Sequence, residues 1–174
     1  MIRRKWRKRA KWKTLLLGLV GMVMLTGCTT VRETMGQLQI YGNNELIAQS
    51  QDRYSYNSRE GEASPEGTQF DFRQFTGKHT LWTVDAPESS QLTLDLNLGI
   101  DKGKCKLVHV MPSGDVVKLA DAKTDAGVIT VELPEGENTI KLIGKKAYGN
   151  LKVEFSDTGT AQVFAASGEN RAIE

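Results

Sequence analysis

The chain has 174 residues, with 23 Lys and Arg against 21 Asp and Glu, a formal net charge of +2. That balance hides an asymmetry: residues 1–27 hold eight basic residues and no acid, so the other 147 carry 15 basic against 21 acidic, a net −6. An acidic body argues against nucleic acid, whose phosphates need a clustered basic surface, and a single apolar run excludes a multi-pass membrane protein.

The basic run extends from Arg3 to Lys13 and is followed by the apolar stretch Thr14 to Leu25. This stretch is short for a bilayer span, which takes about 20 apolar residues. It suits the apolar region of a secretory signal, typically about 7–15 residues. Arg3-Arg4 is followed by Lys5-Trp6-Arg7 rather than an apolar pair, so twin-arginine export is not indicated. The apolar stretch ends in Leu25-Thr26-Gly27-Cys28.

These four residues, after that charge and apolar pattern, resemble the lipobox of bacterial lipoproteins. The resemblance implies that the Cys28 thiol receives diacylglycerol and that a signal peptidase cuts between Gly27 and Cys28. The mature chain then begins at Cys28, lipid-anchored on the extracytoplasmic face of the cell membrane. Two acyl chains suffice for stable anchoring where one is marginal. The covalent diacylglycerol is the only non-protein group expected, and no cofactor is. The implied organisation is a signal peptide over 1–27, a lipidated N-terminus and tether over 28–50, a folded domain over 51–156 and a flexible tail over 157–174.

The tether is polar but not featureless. Gln37 to Tyr41 alternates like a short strand, and Asn44 to Ser50 suits a turn of helix. Arg53 to Asn57 alternates and opens the folded domain, and Glu60 to Gly67 reads as turn or loop. Period-two runs then recur at Gln69–Phe75, His79–Val84, Gln91–Leu98, Lys104–Val110, Val116–Ala120, Val128–Leu133, Asn138–Ile143 and Leu151–Phe155. Turn signals separate them, among them Thr76-Gly77-Lys78 and Asp101-Lys102-Gly103. About eight strands with one apolar face each predict an antiparallel β-sandwich. The pattern Phe70-x-Phe72, Phe75-x-Gly77, Thr80-Leu81-Trp82 and Leu133-x-x-Gly136-x-Asn138-x-Ile140-x-Leu142-x-Gly144 is similar to the jelly-roll-like sandwich domains of Gram-positive surface lipoproteins and carbohydrate-binding modules. That similarity implies architecture, and function does not follow from it.

Chemistry-bearing residues are sparse. His79 and His109 lack the close spacing of zinc ligands. Nucleophile motifs such as G-x-S-x-G and S-x-x-K are missing from the body. Asp71, Asp95 and Glu132 lie on strands where a cross-sheet pair for glycoside hydrolysis is conceivable, though charges on a wet face are the ordinary reading. Asp121 to Glu132 has acids at the first, fifth and twelfth places of a calcium loop, but Lys123 and Ala126 stand where an acid and a glycine belong. An acidic hairpin loop is the expectation, with no metal. Cys105 reads as a small buried hydrophobe. The candidates for stacking on a ligand are Tyr54, Tyr56, Trp82 and Tyr148, with core packing the stronger expectation for Trp82.

Three functions follow in order. The first is a non-catalytic sandwich that binds or scaffolds at the cell surface, held to the membrane by its lipid, with an envelope protein as partner. The second is a module for cell-wall glycan. The third is a glycoside hydrolase using a carboxylate pair.

Overall fold

A computed structural model describes residues 36–122 and 126–166. Among the described residues, nine antiparallel strands are joined by hydrogen bonds into one continuous ladder. In chain order they are β1 (Arg53–Ser55), β2 (Ser58–Glu60), β3 (Ala63–Ser64), β4 (Gly67–Ala86), β5 (Ser90–Val110), β6 (Val116–Asp121), β7 (Gly127–Leu133), β8 (Gly136–Asp157) and β9 (Gln162–Ala165). One short helix, α1 (Asn44–Ala48), precedes them, and residues 36–40 are helical as well.

Three strands of 20 to 22 residues, β4, β8 and β5, form the centre. Each serves two sheets. The first half of β4 pairs with β2, β3 and the end of β8, whereas its second half pairs with β1, β9 and the start of β8. Strand β5 takes β7 on its first half and β6 on its second. The two halves face each other across one core. Phe70, Leu94, Leu96 and Val153 from one half share a cluster with Trp82, Leu107, Ile140 and Leu142 from the other. The antiparallel sandwich expected from the alternation is the fold.

The expected turns at Thr76-Gly77-Lys78 and Asp101-Lys102-Gly103 are instead creases within β4 and β5. Register shifts fall between Phe72 and Gly77 and between Ile100 and Lys104. An inserted residue bends a strand without ending its pairing. The bent backbone is visible at Gln74 (φ 56°), Gly103 (φ 83°) and Lys146 (φ 51°). Six of the eight expected strands are therefore halves of three long ones. Glycine is a signal both for a turn and for a bulge, and spacing alone does not separate them.

Alternation holds in the first halves of β4 and β5 and the second half of β8, and fails in the other halves. Residues 75–79 and 140–144 are buried without a break, because this half is covered on both faces. Its outer face carries a second cluster in which Ile40 and Ile47 pack on Val108, Val110 and Ile143. The Asn43 side chain caps α1 by accepting from the Leu46 amide at 3.1 Å. The segment read as a tether is thus part of the fold from residue 37 onward, and Gln37–Tyr41 is the end of a helical stretch, through residue 40, and the start of the turn after it, not a strand. Five alternating residues are too few to separate the two periods. The tail is corrected likewise: β9 pairs with Trp82 to Asp85.

Two lysines lie beneath α1. Lys78 Nζ donates to the Leu46 carbonyl at 2.6 Å and Lys141 Nζ to that of Ile47 at 3.2 Å. Cations at a helix C-terminus satisfy carbonyls that have no partner within the helix. Asp52 fixes the next segment, its carboxylate accepting from the Thr80 amide at 2.9 Å and the Thr80 hydroxyl at 2.8 Å.

Candidate functional site

Strands β1, β2 and β3 are short pieces laid in succession along β4. Short strands leave their connections exposed, and a surface hollow opens there. It measures about 350 Å³ and is lined by Tyr56, Asn57, Ser58, Arg59, Gly61 and Glu62. A smaller hollow of about 110 Å³ shares Arg59 and Glu62 and reaches His79, Leu81 and Phe70.

An aromatic group forms one wall. Tyr54 lies over His79 with centroids 4.2 Å apart and meets Tyr56 edge to face at 5.5 Å. Tyr56 stacks on Phe75 at 4.5 Å, and its hydroxyl is 2.9 Å from His79 Nδ1. The Arg59 guanidinium stands 5.9 Å from the ring centres of both Tyr56 and Phe70, and 3.8 Å from the Glu62 carboxylate. Burial pushes the Tyr56 phenol well above its ordinary range. Burial, with the Arg59 charge adding to it, pulls His79 down to about 4. Both are therefore neutral at pH 7, and neither is tuned for proton transfer near neutrality. What the cleft offers is one fixed cation, one carboxylate 85 % exposed, and polar loop groups beside a half-buried tyrosine. Such a set suits holding a polar ligand.

Of the four stacking candidates, the structure brings Tyr54 and Tyr56 together at this wall. Tyr56 gives one face to Phe75 and lines the larger hollow, whereas Tyr54 packs behind it on His79 and Tyr56 and lines neither hollow. Trp82 is fully buried, as the core expectation had it. Its Nε1 donates to the Ser64 carbonyl at 2.7 Å and its ring meets Phe155 at 5.0 Å. It has no face for a ligand. Tyr148 sits elsewhere, at the crease of β8, with the Lys102 ammonium 5.7 Å from its ring. Gly27 and Cys28 lie outside the described residues.

The carboxylates do not form a hydrolytic pair of the expected kind. Glu132 stands opposite Gln91, four residues along β5 from Asp95. At about 3.4 Å per residue that separates Asp95 from Glu132 by roughly 13 Å, beyond the reach of paired glycosidase carboxylates. Asp95 instead faces Glu154, whose carboxylate is neutralised by Lys152 at 2.9 Å on an exposed sheet face. The calcium-like segment includes residues 123–125, outside those described, and no group of three potential metal ligands occurs among the described residues. Burial raises the Cys105 thiol far above its ordinary range, and the residue is part of the core.

Arg59, Glu62 and His79 were not legible as a site. Only Arg59-x-x-Glu62 beside two tyrosines hints at it in sequence, and i,i+3 charge pairs are common on any surface.

No family model matches the chain, and no curated protein matches it either. Among solved structures it is similar to a family 35 carbohydrate-binding module from Cellvibrio japonicus, with 16 % identity, 64 % of this chain and 80 % of that chain covered, and a TM-score of 0.32. It is similar also to a family 35 module in complex with a glucuronic acid containing disaccharide (16 % identity, 64 % and 81 % covered, TM-score 0.33). A family two carbohydrate esterase from Clostridium thermocellum aligns at 17 % identity and TM-score 0.33, over 63 % of this chain and 33 % of the esterase. Identity and TM-score at this level transfer neither a ligand nor a site to this chain.

Proposed function

We propose that the protein is an exported, diacylglycerol-anchored β-sandwich that binds a polar ligand at the extracytoplasmic face of the cell membrane. The observation that carries the reading is Leu25-Thr26-Gly27-Cys28 placed directly after a basic and an apolar run. Changing Cys28 to Ser tests it. The variant is expected to leave the membrane fraction or to remain as uncut precursor, and unchanged size with unchanged detergent partitioning would refute it.

A glycan is the ligand class that the cleft favours, over an envelope protein. The specific observation is the polar hollow of about 350 Å³ lined by Arg59, Glu62 and Tyr56. Sugars present hydroxyls for charged side chains and apolar faces for rings. Trp82 is the sole tryptophan after residue 27 and is tied to Ser64 of β3, next to the cleft. Titration with soluble wall glycans is expected to shift its emission. Arg59→Ala is expected to weaken binding at least about tenfold, the value of one lost charge-assisted hydrogen bond. No emission change together with no retention on insoluble cell wall would count against a glycan.

A further inference from the structure

The body is acidic, yet five of its 15 basic residues stand together at the crease of β5 and β8: Lys102, Lys104, Lys106, Lys145 and Lys146. All but Lys106 are exposed, and Lys106 is half-buried. Lys104 lies directly opposite Lys145, and Lys106 opposite Ile143. Like charges paired across strands, as at Lys104 and Lys145, are destabilising, whereas Lys106 also lies opposite Asp121 on its other side. Among the described residues none of the five has an ion pair; the pairs present are Arg59–Glu62, Lys118–Asp121 and Lys152–Glu154. Asp101 and Asp121 are the acids nearest in sequence or register.

The position of the cluster decides its partner. Ile143 is covered by Ile40 and Ile47, so it marks the sheet face on which the N-terminal segment lies. Period-two alternation puts Lys104, Lys106 and Lys145 on that same face. Lys106 also stands 5.1 Å from the ring centre of Tyr41. The chain therefore joins the sandwich beside the lysines. Gln37 is nine peptide units after Cys28, a reach of at most about 30 Å.

We propose that Lys104, Lys106 and Lys145, with Lys102 and Lys146 at the crease, form a docking surface for the anionic phospholipid headgroups of the membrane that carries the anchor. This rests on the lipid-anchor reading and adds an orientation to it. A lipid chain with a basic patch is a two-signal attachment in which the patch reads surface charge. The lysine face lies against the bilayer.

The test uses the full chain, as purified from membranes, in vesicles of phosphatidylcholine and in vesicles containing phosphatidylglycerol to about a third. Lysines are pulse-acetylated and resolved by mass spectrometry. Lys104 and Lys145 are expected to label at least about threefold more slowly on the anionic vesicles, with Lys152 unchanged and the protection lost at about 0.5 M salt. Lys104→Glu with Lys145→Glu, both at exposed positions, is expected to abolish protection of Lys102 and Lys146 while the chain still floats with vesicles. Equal labelling on both vesicles by a floated, lipid-bearing chain overturns the proposal alone. So does protection by soluble polyphosphate without protection by anionic vesicles. An intact mass without lipid, and no flotation with neutral vesicles, overturns the anchor reading and this proposal with it.

Discussion

Lys78 and Lys141 place their ammonium groups on one oxygen, the carbonyl of Gln49, at 2.6 and 2.8 Å. Two cations so close repel, and both are buried. Lys78 is accordingly lowered to about 8, first by burial and then by Lys141, with Asp52 opposing. Lys141 is also lowered, chiefly by burial. The pair ties the end of α1 to the sheet, and so fixes where the N-terminal segment meets the sandwich.

The pH dependence follows from that shift. The unfolded chain holds a proton on Lys78 up to about 10.5 and the folded chain only to about 8, so the unfolded state binds more protons between those values. Stability is expected to rise with pH across that window. Urea melts should show the rise in the wild type and a flatter profile in Lys78→Met. That variant should also lose about 1–2 kcal/mol at pH 7, because the Leu46 carbonyl loses its cationic donor. An equal slope in both proteins would contradict the assignment.

His79 works in the opposite range. Its folded value of about 4 lies below the ordinary 6.5, so the unfolded chain alone takes up the proton as pH falls from 6.5 toward 4. Stability is expected to be full above 6.5 and to decline through that window. The His79 ring resonances should hold still between pH 8 and 5. Titration near 6.5 would show that the Tyr54 and Tyr56 wall is open to water.

Asn138 is a fully buried junction. Its Nδ2 donates to the carbonyls of Pro134 and Gly136 at 2.8 and 3.0 Å, so its Oδ1 accepts from His109 Nε2 at 2.8 Å. That fixes the His109 tautomer and leaves Nδ1 without a partner among the described residues. Asn138→Ala orphans the buried His109 Nε2 and two half-buried carbonyls. It should cost about 2–4 kcal/mol in urea denaturation, and a loss below about 1 kcal/mol would contradict this network.

Gly103 sits at the crease with φ 83°, where an added Cβ would meet the Lys146 carbonyl. Gly114 has a similar φ of 89° but open space around it. Gly114→Ala should therefore cost only backbone strain, about 1–2 kcal/mol. Gly103→Ala should cost at least about 1 kcal/mol more, from the clash. Equal losses would mean that the strands do not approach as described.

Much of the architecture was legible because period-two alternation is a direct imprint of a half-buried sheet. Leu92, Leu94, Leu96 and Leu98 show it without interruption, and all four are buried. Legibility failed where a second layer covered the sheet. Lys78 read as the end of a turn, yet it and Lys141 are buried under a helix of five residues that carries little signal of its own. It failed also at Gly77 and Gly103, where a bend and a turn use the same residue. The cleft was half legible. Tyr54 and Tyr56 were among the four stacking candidates, whereas Arg59, Glu62 and His79 converge only through the pairing of β2 and β3 with β4.

Intact-mass spectrometry of the protein purified from its native membranes tests the central claim most directly. The expected product is a chain that starts at Cys28 and carries diacylglycerol on its sulfur. An unmodified chain that still begins at Met1 would contradict it.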